Sequence, residues 1–287
     1  VNPRKDAPIL NARLRKRFLT KKLNIASIGD EIDLTYKYQN LGNDLKILQD
    51  ILDGKNKFCD SLKNSNRNII IIGEDVVSRD DGSEILKLCK AIAEKYNMLN
   101  SELNGFNFLA KTTGLINGLE LDFTSQNGVS DILTKAENGQ IKLLFLHGVD
   151  DEIDFAKLQN CLVVYIGTNG DKAVKVADII LPSANFAEKD SFYTNLEGRI
   201  QNTRRVLFAP NLAKLDSEII SDLAKVLNLD LGYKNHEELI NLLDKEINLF
   251  DRLNMVNSPD IKGLKPSNDN FKLNQDDHKI IIKDYDY

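Results

Sequence analysis

Four short apolar runs, each ending at a glycine or proline, constrain this chain more than any other feature. They are Asn68-Ile-Ile-Ile-Ile-Gly73, Lys142-Leu-Leu-Phe-Leu-His-Gly148, Cys161-Leu-Val-Val-Tyr-Ile-Gly167 and Ala177-Asp-Ile-Ile-Leu-Pro182. Such runs suit strands covered on both faces of a parallel sheet. Helical patterns lie among them. Residues 80–95 place Ile85, Leu86, Leu88, Cys89, Ile92 and Ala93 on one stripe, with Asp81 or Ser83 available as cap. A short helix is expected near 155–158, a closing helix over 216–227 with Ile219, Ile220, Leu223, Val226 and Leu227 inward, and another from His236 to about Phe250. Strands alternating with helices imply right-handed crossovers and an α/β fold built from doubly wound parallel sheets, Rossmann-like in outline.

Ahead of these runs, residues 8–22 carry Ile9, Leu10, Leu14, Phe18 and Leu19 at helical spacing, with Arg13, Arg15, Lys16, Arg17, Lys21 and Lys22 crowding the outer face. That face is either solvated or docked on an acidic partner. Residues 23–29 read as a strand leaving into a loop at Gly29, followed by a short helix over 44–52. The expected organisation is the back part of a first α/β subdomain over 1–66 and a second subdomain over 67–231. A helix with a polar, partly extended tail then covers 232–287, with an edge strand possible at 279–283. The opening Val1-Asn2-Pro3, without an initiator Met, is expected to mark a piece of a longer protein.

Composition excludes several function classes. The net charge is -5, from 38 basic and 43 acidic residues, which gives no general attraction for nucleic acid or an anionic membrane. All apolar runs fall well short of the roughly 20 residues that cross a bilayer as a helix. Cys59, Cys89 and Cys161 are odd in number and far apart, so they are read as reduced buried thiols rather than a disulfide framework or metal knuckle.

Open α/β sheets bind ligands at the carboxyl ends of their strands, so a nucleotide would sit at the loops of Gly29, Gly73, Gly148 or Gly167. None has a G-x-G-x-x-G or P-loop pattern. Asp30, after Gly29, is read as a strand-to-loop turn or a ribose-binding carboxylate. His147, His236 and His278 lack the spacing of a helical ligand pair, and no metal site is expected. His147 follows a strand and lines the ligand edge or is a satisfied loop histidine. No G-x-S-x-G elbow is present, and no pair of carboxylates marks an acid–base site, so no catalytic residue is assigned.

The stretch Ala177-Asp-Ile-Ile-Leu-Pro-Ser-Ala-Asn-Phe-Ala-Glu-Lys-Asp-Ser-Phe-Tyr-Thr-Asn-Leu-Glu-Gly-Arg-Ile-Gln201 resembles the A-D-[VI]-[VI]-L-P … E-[KR]-x-[GS] … N-x-E-G-R-x-Q signature of the molybdopterin oxidoreductase family. Asn2-Pro-Arg-Lys-Asp-Ala-Pro8, Asn11-Ala-Arg-Leu-Arg-Lys16, Ile32-Asp-Leu-Thr-Tyr-Lys-Tyr38, Leu41-Gly42 and Lys46-Ile-Leu-Gln-Asp50 are similar to segments of its respiratory complex I branch, in order over about residues 1–250. In the signature, Asp178, Pro182, Glu188, Asn195, Glu197, Gly198 and Arg199 are expected to build a structural corner, the alternative being a vestigial nucleotide pocket. Pro182 stops the strand, Gly198 supplies an unusual backbone angle, and Arg199 offers its fork to a carboxylate.

In molybdenum members of the family, two such domains grip a bis-pterin guanine dinucleotide. The resemblance to the complex I branch instead implies a scaffold without its own active site, in a subunit of NADH:quinone oxidoreductase. Its 4Fe-4S and 2Fe-2S clusters would lie in an upstream region, its partners would be other hydrophilic-arm subunits, and its place would be peripheral, on the cytoplasmic or matrix face of the membrane. Ser191 stands where many active members have Gly. Gly29, Asp30, Gly148 and Gly167 are at most remnants of a cofactor pocket. The alternatives are a catalytic molybdopterin oxidoreductase of the formate dehydrogenase or nitrate reductase type, and a free-standing nucleotide-binding module.

Overall fold

A computed structural model describes residues 2–256 apart from 22, 80, 101–103, 124, 126, 150–152 and 171. The described chain divides between Lys111 and Thr112 into two bodies. The expected tail beyond 256, with its edge strand at 279–283 and His278, lies outside the described residues.

The first body opens with helices α1 (Pro3–Asp6) and α2 (Pro8–Leu19). A proline begins each one, where its missing N–H is not needed. The second stops short of Lys22, because Lys21 turns into a left-handed conformation at φ 58°. The strand expected over 23–29 shrinks to β1 (Ala26–Ser27), paired parallel with β2 (Gln39–Asn40). Next come α3 (Lys46–Asp53) and α4 (Cys59–Lys63). The run at 68–73 becomes β3 (Ile70–Gly73), followed by α5 (Glu74–Val77) and α6 (Gly82–Lys95), and β3 pairs parallel with β4 (Phe106–Leu109).

Residues at i, i+3, i+4, i+7 and i+8 of α6, namely Ile85, Leu88, Cys89, Ile92 and Ala93, are all buried. They share one core with Leu45, Leu48, Ile51, Cys59 and Ile72, so both sides of the 66/67 division contribute to it. Asp81 occupies the cap position of α6, but its carboxylate binds Arg79 at 2.8 Å and gives no capping bond. Ser83 lies inside the helix rather than at its cap.

The second body contains α7 (Thr113–Glu120), α8 (Gly128–Glu137), β5 (Leu143–His147), β6 (Leu162–Gly167), β7 (Ile179–Pro182), β8 (Ser191–Thr194), β9 (Ile200–Thr203), α9 (Asp216–Val226), α10 (His236–Ile247) and α11 (Leu249–Arg252). The helix expected to reach Phe250 breaks earlier, because Asn248 adopts φ 50°. Short 3-10 turns, Phe155–Leu158 and Ala173–Lys175, fill the crossovers from β5 to β6 and from β6 to β7.

Strands β5, β6 and β7 form one parallel sheet in sequence order, while β8 and β9 make an antiparallel hairpin. Right-handed crossovers that wind one way place both connections on one face. That face packs Leu146, Val163 and Tyr165 against Leu133, Ala136, Leu158 and Ala173. On the other face Val164 and Ile166 are buried, whereas Leu143, Phe145, Leu162 and Ile179 are 41–47% exposed. The expectation of strands covered on both faces therefore holds fully for the middle strand β6 between Val163 and Ile166 and only in part for β5 and β7. The fold is mixed α/β with small parallel sheets.

Candidate functional site at the carboxyl ends of the strands

In the second body the strand ends converge on one carboxylate. Asp216, first residue of α9, accepts from His147 Nε2 at 3.0 Å, from Lys189 Nζ at 2.6 Å and from Ser183 Oγ. His147 ends β5 and Ser183 follows β7, so a single side chain ties two strand ends, the 183–190 loop and a helix N-terminus. Ser183 is buried, while the Lys189 and Asp216 side chains are three-quarters or more covered. Burial alone would push the Asp216 carboxyl up, but the bonds from His147, Lys189 and Ser183 outweigh it and hold the group well below the usual carboxylate range. The helix N-terminus favours the same ionised form.

These residue types resemble a hydrolytic triad, but their connections differ. A nucleophilic serine needs its hydroxyl on the histidine, with the carboxylate behind. Here Ser183 and His147 both bind Oδ1 of Asp216. The arrangement is a clamp.

The glycine candidates take part in backbone hydrogen bonds and packing. Gly148 donates its N–H to Ile166 O at 2.8 Å, and Gly167 O accepts from Ser183 N at 3.0 Å, so both lie at this strand edge. A Cβ on Gly167 would meet the buried Tyr165 side chain at 2.3–2.7 Å, so this packing requires a glycine. In the first body, Gly29 (φ 129°) donates to Gly42 O at 2.8 Å, and Asp30 accepts from Asn43 at 3.4 Å.

Most signature residues also have local roles. Asp178 N–H donates to Val163 O at 2.9 Å, and its carboxylate accepts the Val163 N–H at 2.7 Å, fixing the start of the β6–β7 pair. Beyond Pro182 the chain pairs with Lys214: Pro182 O accepts from Lys214 N, and Ala184 N donates to Lys214 O. Glu188 accepts the Asn185 N–H at 2.9 Å within the loop that follows Ser183. Asn195 builds that turn, its side-chain oxygen accepting from Glu197 N at 2.9 Å and Arg199 N at 3.1 Å. Gly198 has φ 76°. Arg199 reaches Glu197 at 3.5 Å and Asn254 O.

Sequence reasoning missed a second charged edge, in the first body. Glu74 and Asp75 follow β3, and Lys111 follows β4. Glu74 accepts from Lys111 N at 2.7 Å, and Lys111 Nζ bonds Asp75 at 2.8 Å. Without β4 in view, nothing local brings Lys111 to these acids.

A pterin dinucleotide would bring a pyrophosphate, which requires free N–H donors or cations. At each strand edge carboxylates have already engaged the nearby lysines and the imidazole: Asp216 takes Lys189 and a hydrogen bond from His147, and Asp75 takes Lys111. A pyrophosphate beside the ionised Asp216 would meet like charge, and these edges do not fit the group. Among the described residues no cluster of three or more His, Cys, Asp and Glu side chains is arranged to hold a metal ion. A cavity of about 280 Å³ adjoins Lys189 and Asp216, with Phe192, Leu239, Leu243 and Ile247 among its mainly apolar walls.

Residues 1–226 match the family model described as molybdopterin oxidoreductase. The chain belongs to the molybdopterin oxidoreductase family. Within that family it is 38% identical over 256 residues to the G subunit of NADH-quinone oxidoreductase from Rickettsia bellii, covering 89% of this chain and 36% of that protein. It is 35% identical over 293 residues to the NADH-ubiquinone oxidoreductase 75 kDa subunit of Reclinomonas americana, covering 95% of this chain and 41% of the relative. The corresponding protein of Rickettsia prowazekii is 36% identical over 256 residues, or 89% of this chain and 36% of its own. This family member is thus homologous to the G or 75 kDa subunit of complex I and spans about 36–41% of the length of such relatives. None of its described helices is long and apolar enough to cross a membrane.

Proposed function

We propose that this chain is a non-catalytic scaffold segment of the large iron-sulfur subunit of NADH:quinone oxidoreductase. It would support electron transfer from NADH to quinone by holding neighbouring parts of the enzyme in place. The carrying observation is similarity to NADH-quinone oxidoreductase subunits along 89–95% of the chain. The strand edges support the scaffold part of the reading, since their donors are spent on Asp216, Glu74 and Asp75.

In this reading the enzyme's iron-sulfur clusters lie elsewhere in the longer subunit, and the partners are other hydrophilic-arm subunits at the cytoplasmic or matrix face of the membrane. Gly29, Asp30, Gly148 and Gly167 bind no cofactor, while Asp178, Pro182, Glu188, Asn195, Glu197, Gly198 and Arg199 serve structure. The exposed residues Leu143, Phe145, Leu162 and Ile179 of the sheet are covered by helices of the longer protein, completing a doubly wound sheet.

The test uses the full-length subunit, affinity-tagged. It should comigrate on native gels with NADH-dependent dye reduction and with iron. Recovery as a separate protein that oxidises formate or reduces nitrate would overturn the proposal.

A further inference from the structure

Helix α2 buries one face and leaves the other strongly basic. Its inner face is committed within its own body: Asn11 is buried with its side-chain amide directed to Leu34 O at 3.4 Å, and Phe18 lies 5.9 Å from the Tyr36 ring, centroid to centroid. Arg13, Arg15, Lys16 and Arg17 are exposed on the rest of the helix, and Lys21 just beyond it. The helix contains no acidic residue.

Elsewhere this chain matches helical lysines with acids one turn away, as in Lys87–Glu84, Lys90–Glu94, Lys135–Asp131 and Lys225–Asp222. On α2 the i, i+4 partner of Arg13 is Arg17, a like-charge spacing that weakens a helix. Among the described residues Arg15, Lys16 and Arg17 have no ion-pair partner. The helix C-terminus favours Lys16 and Arg17, but it gives no reason for Arg15 further from that end. The concentration is local, because the whole chain carries -5.

We infer that the outer face of α2 docks on an acidic protein surface of a neighbouring subunit, an inference that rests on the proposed function and names the chemistry of one partner. A membrane fits less well, because a surface-bound helix sinks a broad apolar face into lipid. Leu14 and Phe18 of α2 are half-buried, and Phe18 lies against the chain's own Tyr36 instead. Ile9, 76% exposed, shares the outer stripe with Arg13 and Lys16 and supplies an apolar centre for a protein contact.

The test uses the assembled enzyme containing the full-length subunit. Carbodiimide cross-linking, which joins amines to carboxylates without a spacer, should link Lys16 or Lys21 to Asp or Glu of another subunit. Replacing the patch (Arg15→Gln, Lys16→Gln, Arg17→Gln) should lower the recovery of intact complex about fivefold at moderate salt, with the subunit's own melting temperature not lowered. Cross-links confined to the subunit, or unchanged recovery of the complex, would overturn the inference. So would binding to vesicles of about one-third phosphatidylserine, or to single-stranded RNA, that disappears in the variant while assembly persists. A wild-type subunit that never comigrates with NADH dehydrogenase activity would sink the proposed function itself. Comigration without these cross-links sinks this inference alone.

Discussion

Lys189 reaches across 27 residues of sequence to place its ammonium 2.6 Å from the carboxylate of Asp216, at the edge where an open α/β sheet ordinarily receives its ligand. Lys189 belongs to the family signature, whereas Asp216 lies outside it. Their pairing, joined by His147 and Ser183, gives the strand ends to internal structure.

Asp216→Asn removes the negative charge from three donors in a largely covered setting. The expected loss is about 1–3 kcal/mol of stability. Because folding lowers the Asp216 carboxyl, its contribution is present above the unfolded value near 3.8 and drains away as pH falls below it. Denaturant midpoints measured downward from pH 5 should therefore fall less steeply in the variant. Equal acid limbs would remove Asp216 from the account.

Gly167→Ala drives a methyl group into the Tyr165 ring, which is 1% exposed and has nowhere to go. A destabilisation of about 1–3 kcal/mol is expected from overpacking. At Gly148 nothing lies within 4 Å, so Gly148→Ala should cost only the strain of its φ of 63°. Melting temperatures that rank the two variants the other way would show that Gly167 is not packed as described.

Asn195→Ala deletes the oxygen that receives two backbone N–H groups of the β8–β9 turn. A loss of about 1–2 kcal/mol is expected, while Asn195→Asp should keep most of the stability. Amide exchange at Glu197 and Arg199 provides the readout.

The thiols should separate by burial. Cys59 and Cys89 are buried and Cys161 is half-buried, and burial pushes the Cys89 thiol up to about 12. A maleimide at pH 8 should modify Cys161 first, leaving Cys59 and Cys89 for denaturant. Rapid native labelling at Cys89 would contradict its placement in the core.

The strands β5, β6 and β7 and the helix α6 are legible because continuous apolar runs or a helical stripe are bounded there by Gly, Pro or polar residues; α9 is legible in range but not in orientation, since of the five residues read as inward only Ile219 is buried, while Ile220, Leu223, Val226 and Leu227 are exposed. The sequence hid β4, where Phe106-Asn-Phe-Leu109 is too short to declare a period, and α7, whose Thr113-Gly114 start has weak helix propensity. The β8–β9 hairpin reads in sequence as a corner because its strands carry Ser, Thr, Asn and Gln on a small sheet. Glu197-Gly198-Arg199 is readable from local turn chemistry. The Asp216 clamp is not, since residues 147, 183, 189 and 216 meet only after the crossovers fold.

Elemental analysis with pterin extraction of the intact enzyme, purified through the full-length subunit, tests most directly whether this family member works as scaffold. Abundant iron is expected, with molybdenum, tungsten and pterin far below one per subunit. One metal-pterin per subunit, lost when Asp216 or Lys189 is replaced, would contradict the account.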